Sequence, residues 1–235
     1  MSEPHRIRYR FDLPDGTVET LEFSFDPVHF RMLKPAPPNP PFWTELNFSR
    51  CANCPLDAAA HTHCPAALQM ASAVERLKVL VSFDTVGVTV IQAERTMYAQ
   101  TSAQHAMSSV LGLVMATSGC PWTDHLRPMA RFHLPFASEA ETVYRSICMF
   151  LLAREIGGVD APDGFAALED LYRNLHVVNR DMSRRLGAAT RTDPARNAMA
   201  LLDSYTTLLP AALECSLEEL RPLFDAWQSE RNPAI

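Results

Sequence analysis

Lysine is nearly missing from this chain: of its 21 basic residues only Lys34 and Lys78 are lysines. The bias names no function, because genome composition produces it as readily as a need for planar guanidinium groups. A surplus of positive charge is also lacking. With a formal net charge of -6, the chain offers no electrostatic footprint for nucleic acid or an anionic membrane surface. No apolar run reaches the roughly 20 residues that a bilayer span requires; the most apolar stretch, residues 107–116, is short and accompanied by polar Gln104, His105, Ser108 and Ser109. The first nine residues are charged and hold no apolar segment of secretory length, so a bacterial-type cytoplasmic protein is expected. Nor is there a nucleophile elbow, a phosphate loop or a carboxylate pair in recognisable context. Whether the chain is an enzyme therefore stays open at this level, as does any substrate.

What is present suits a folded chain, with 47% apolar residues over 235 positions, an ordinary globular balance. Residues 7–13 and 18–25 read as strands around the turn Pro14-Asp15-Gly16. Residues 34–41 carry Pro35, Pro37, Pro38, Pro40 and Pro41 and cannot join a ladder, so they predict an extended connector. Helical spacing follows over 65–78, and a second strand pair over 85–91 and 96–100. The segment 102–118 is apolar nearly all round, the mark of a helix in the middle of a fold, with Gly119 placed to end it. Ser138 and Glu141 form a capping box for a helix running to Gly157-Gly158. Three further helices are expected over 165–186, 194–209 and 216–227, punctuated by glycine and proline. The pattern predicts an α+β fold: a small antiparallel sheet packed on a buried central helix within a mixed domain of residues 1–158, and a helical extension over 159–235 packed on it. The extension is the candidate surface for a protein partner or for a homo-oligomer.

Six cysteines could form three disulfides, but a reducing compartment and a chain of this size point instead to metal or redox chemistry. Cys51, Cys54 and Cys64 fall within fifteen positions that also hold His61 and His63. A CxxC pair brings two thiolates to one ion from a single turn, and a third ligand about ten residues on closes a loop around it. The fourth donor is expected to be Cys120, with His61 and His63 as alternates. Cys64-Pro65 opens a predicted helix, placing the thiol at the N-cap with proline at the first helical position, where the helix dipole would lower its pKa. Zinc is the expected metal. Cys54, Cys64 and Cys120 are each followed by proline, a neighbour also familiar at iron–sulfur ligands, which keeps an iron–sulfur cluster as the alternative. A CxxC thiol oxidoreductase is a third reading, weakened because loop rather than helix is expected after Cys54. Cys148 and Cys215 sit singly on apolar helical patterns and read as core residues.

A second polar cluster follows Cys120: Asp124, His125, Arg127, Arg131 and His133. Polar residues of a proline-framed loop commonly do no more than bond exposed backbone. If Cys120 joins a metal, however, His125, Arg131 and His133 become candidates to hold or orient its ligands from outside. Arg173, Arg180 and Arg184, with Arg185 nearby and Asp170, Asp181 and Asp193 interspersed, predict a solvated helical face.

The ordered set CxxCPL, a later Cys-Pro, Glu94-Arg95-Thr96-Met97-Tyr98, residues 104–113, Ser118-Gly119-Cys120-Pro121 and Arg131-Phe132-His133-Leu134-Pro135-Phe136 resembles a bacterial domain family of unknown function. The resemblance spans about residues 5–160. It implies that Cys51, Cys54, Cys64 and Cys120 act as one set, and it carries no activity.

Overall fold

Alternation decides the first hairpin. Ile7, Tyr9 and Phe11 on β1 (His5–Asp12) and Leu21, Phe23 and Phe25 on β2 (Val18–Phe25) are buried on one face, while Arg8 and Glu22, paired in register, face out. The turn closes through Gly16 at φ 83° and the Asp15 carboxylate, which accepts from the Thr17 amide at 2.9 Å; only glycine takes such a φ without a Cβ clash. The structure is a computed structural model describing residues 3–33, 37, 39–158, 164–189 and 193–228, with 208–217 and 227–228 as helical backbone alone. Half of the proline connector, residues 34–36 and 38, lies outside the described residues.

β3 (Thr85–Ile91) and β4 (Thr96–Ser102) complete an antiparallel sheet of order β2-β1-β3-β4. β4 runs directly into α2 (Ala103–Thr117), whose amide at His105 is capped by Ser102. Eleven of its fifteen residues are buried, so α2 is the central helix that the sequence predicts. It packs on α1 (Pro65–Arg76), on β3 and β4, and along α6 (Pro194–Leu220). The short α3 (Arg127–Arg131) leads to α4 (Glu139–Gly157), which starts in the expected Ser138–Glu141 capping box and ends at Gly158 in the left-handed conformation. α5 (Ala166–Ala189) lies against α6. Val178, Met182, Leu186, Ala198 and Met199 join the same apolar core as Tyr9 and Met107, so the two halves of this α+β fold share one interior.

Three expectations change. The two last helices are joined: α6 continues past residue 209 to Leu220, then a 3-10 turn at Arg221–Phe224 leads into α7 (Asp225–Gln228). Pro210 removes one amide donor, but the helix formers Ala211, Ala212, Leu213 and Glu214 sustain the helix around it. Cys148 is exposed beside Tyr144 instead of lying in the core, because only Val143, Ser146 and Ile147 of α4 are buried. Finally, Arg173, Arg180 and Arg184 do form an exposed face of α5, but Asp181 and Arg185, expected beside them, are buried.

Candidate metal centre

The cysteine loop is built from its base upward. A 3-10 turn at Phe42–Thr44 enters it, and a bridge between Glu45 and His63 closes it. Hydrogen bonds from Leu46 N to Thr62 O (2.9 Å) and from Cys64 N to Thr44 O (2.8 Å) hold the two ends together. At the tip, Cys54 N donates to Cys51 O at 3.1 Å, forming the CxxC turn. Arg50 braces that turn from inside, donating through Nη2 to the carbonyls of Cys54 (3.0 Å) and Leu56 (2.5 Å). Cys64 is the N-cap of α1, with Pro65 at the first helical position as expected.

Helix α5 clamps this loop. Asp181 accepts from the Ala52 amide at 2.8 Å, directly between the two cysteines of the CxxC. Asn53 donates to Asn174 O and Oδ1, both at 3.1 Å. Arg185, 1% exposed, donates to the carbonyls of Trp43 (2.6 Å), Glu45 (2.7 Å) and Leu46 (3.2 Å). From the other side Trp122, two residues after Cys120, donates through Nε1 to Asn53 O at 2.8 Å. None of these clamps is foreseen by the sequence reading. The signal lay in α5, where Asp181 and Arg185 stand one turn apart beside the apolar series Leu175, Val178, Met182 and Leu186.

Cys64 lies in the main apolar core, and Cys51, Cys54 and Cys120 pack against it. Burial, reinforced by the negative influence of Cys64, Asp181, Cys120 and Cys54, pushes the Cys51 thiol up to about 12. Burial also raises Cys64, against the amides of Ala67 and Ala66 and the Arg185 cation. The dipole effect expected at this N-cap is therefore present but is outweighed by desolvation. Asp181 is held below the usual carboxylate range: its burial is more than offset by the Ala52 amide and by Arg180 and Arg184. Cys51, Cys54, Cys64 and Cys120 are all free thiols. Among the described residues, no three His, Cys, Asp or Glu side chains stand close enough together to hold a metal ion.

The alternates lie differently. His63 bonds Thr44 Oγ1 through Nδ1 at 2.9 Å, and His61 is exposed in the turn after Asp57. His125 is exposed, its Nδ1 3.3 Å from Trp122 O. Arg131 pairs with Glu94 at 3.8 Å and lies over the rings of Phe30 and Phe132. His133 sits behind the sheet in contact with Tyr9.

A fit to a metal can be judged on chemistry. Thiolates are the soft donors that zinc and iron–sulfur clusters take, and these four come from three segments of chain, but among the described residues they do not converge on a point that could hold an ion. Arg185 Nε is buried and has no hydrogen-bond partner among the described residues.

Among the described residues no helix is long and apolar enough to cross a membrane. Comparison with curated proteins and with solved structures gives no match. A family described as a domain of unknown function (DUF6901) matches residues 7–225. That span takes in α5 and α6 and so extends well past the limit near residue 160 that the motifs alone suggest. The helices clamping the cysteine loop thus fall within the matched region, and the chain belongs to the DUF6901 family.

Proposed function

We propose that the protein binds one metal through Cys51, Cys54, Cys64 and Cys120, with zinc in a structural or sensing role. The observation that carries this reading is that Trp122, two residues past Cys120, donates to Asn53 O inside the CxxC at 2.8 Å, which draws the turn after α2 to the tip of the cysteine loop although Cys120 lies 56 positions beyond Cys64 in sequence. Buried thiolates are costly without a cation, and a metal would offset that cost while tying the loop to the end of α2. Four free thiols suit a reducing cytoplasm. Nucleic acid has no place in this reading, and a protein partner or second copy would engage the C-terminal helices, where Leu223 is exposed.

An iron–sulfur cluster on the same cysteines is the second reading, favoured by the prolines that follow Cys54, Cys64 and Cys120. The thiol oxidoreductase reading is weaker, because residues 55–62 form loop and turn, not a helix beginning at the CxxC.

Protein purified without oxygen or chelator should be colourless and carry near-stoichiometric zinc. Brown protein with iron and sulfide would favour the cluster. Cys54→Ser and Cys120→Ser should each lose most of the metal, while His61→Ala and His63→Ala should keep it. Full metal retention in both cysteine variants would refute the ligand set.

A further inference from the structure

A half-open cleft of about 190 Å³ is lined by α2, the stretch around α3, and helices α4, α5 and α6, and none of the four cysteines of the loop and the α2 end lines it. Its volume exceeds the ~150 Å³ at which an apolar protein cavity takes up benzene. Much of the wall is apolar, with Leu113, Leu126, Met129, Leu175 and Leu202 prominent. Small residues on α2 keep the space open: a Cβ built at Gly112 would meet Leu202 Cδ2 at 3.5 Å, an ordinary contact.

Polar side chains also line the cleft, among them His105, Asn179 and Tyr205, and several others are already bonded. Tyr172 Oη bonds Ser146 Oγ at 2.5 Å. His133 is engaged by Tyr9, whose hydroxyl also reaches Ser109 at 3.4 Å. Burial, aided by Arg145, pushes His133 down to about 3, so its ring is neutral and brings no charge to the cavity. Arg145 is different. It lines the cavity as a part-buried cation, and its bonds to Met129 O (2.8 Å) and Phe132 O (2.9 Å) are both made from Nη2. Glu141, a carboxylate that acts on it, is committed to the Ser138 capping box. A cation of this kind at the wall of an apolar space selects a guest with an apolar body and one negative head.

We infer that the cavity beside α2 is a binding site for a small monocarboxylic acid with a compact apolar body, its carboxylate received by Arg145. The site stands independently of any metal.

Titration calorimetry of the full chain with benzoate, and with benzamide as its uncharged counterpart, tests this at matched ionic strength. Benzoate should bind at least tenfold more tightly than benzamide, and Arg145→Gln should erase that ratio while leaving the weak benzamide binding. Gly112→Leu, which fills the cavity, should abolish binding of both. Absent benzoate binding to the wild type, equal affinity for the two probes, or benzoate binding retained in Gly112→Leu would each overturn the inference. The last variant keeps the test decisive should Arg145→Gln fail to fold. Metal content is unaffected by either outcome, so this result and the metal result are read separately.

Discussion

Arg185→Met is expected to destabilise the protein by on the order of 3–5 kcal/mol, the scale seen when one partner of a buried charged network is removed. The guanidinium fork donates to three carbonyls of the loop base, at Trp43, Glu45 and Leu46. Methionine replaces the unbranched apolar stem but supplies no donor, leaving those carbonyls with nothing in place of the fork, and unpaired buried acceptors cost roughly 1–3 kcal/mol each. Lysine restores the charge but not the planar geometry, so Arg185→Lys should recover only part of the loss. Against a total stability of about 5–15 kcal/mol, the methionine variant should show a large drop in urea midpoint at nearly constant slope. It should also bind metal more weakly, because the carbonyls concerned lie at the base of the loop that carries Cys51 and Cys54. A change below about 1 kcal/mol would mean that α5 does not clamp the loop.

The second large effect is a loss of stability in mild acid that belongs to His133. Burial foremost, and the Arg145 cation after it, lower this imidazole from 6.5 to about 3 in the folded protein. In the unfolded chain it regains its ordinary value. Between these two values the unfolded state binds the extra proton, so stability rises with pH across the window and falls as the solution is acidified through it. Stability from the neutral ring is fully present above pH 6.5 and is progressively lost down to about pH 3. At about 1.4 kcal/mol per unit, the loss amounts to several kcal/mol. Asp181, whose pKa is depressed, loses its contribution at lower pH still, so the comparison must be differential. His133→Gln keeps a hydrogen-bonding partner for Tyr9 and removes the titration. The gap in unfolding free energy between wild type and variant should narrow steadily from pH 7 to pH 4. A gap independent of pH over that range would contradict the assignment.

Local signals in the sequence carried most of the fold. The buried alternation of Ile7, Tyr9 and Phe11, the capping box at Ser138 and Glu141, and the proline after the Cys64 N-cap each report a conformation set within a few residues. The all-round apolar pattern of α2 likewise identified the centre of the core. What stayed hidden depended on partners far away in the chain. Asp181 and Arg185 resemble solvated charges until the amide of Ala52 and the carbonyls of the loop base are brought to them. Cys148 followed an apolar pattern that α4 does not bury. Pro210 marked a break that the surrounding helix formers override. For the candidate site, the density of thiols singles out Cys51, Cys54 and Cys64, and Cys120 joins them only through the resemblance. The placement of His133 behind Tyr9 was not legible, because it arises from packing between the sheet and the segment after α3, 124 positions away.

X-ray absorption at the metal edge of the protein as purified tests the central claim most directly. A four-sulfur shell at roughly 2.3 Å around zinc, one ion per chain and lost on substitution of Cys51, is the result predicted. Metal-free protein, or an ion surrounded by oxygen and nitrogen alone, would contradict it.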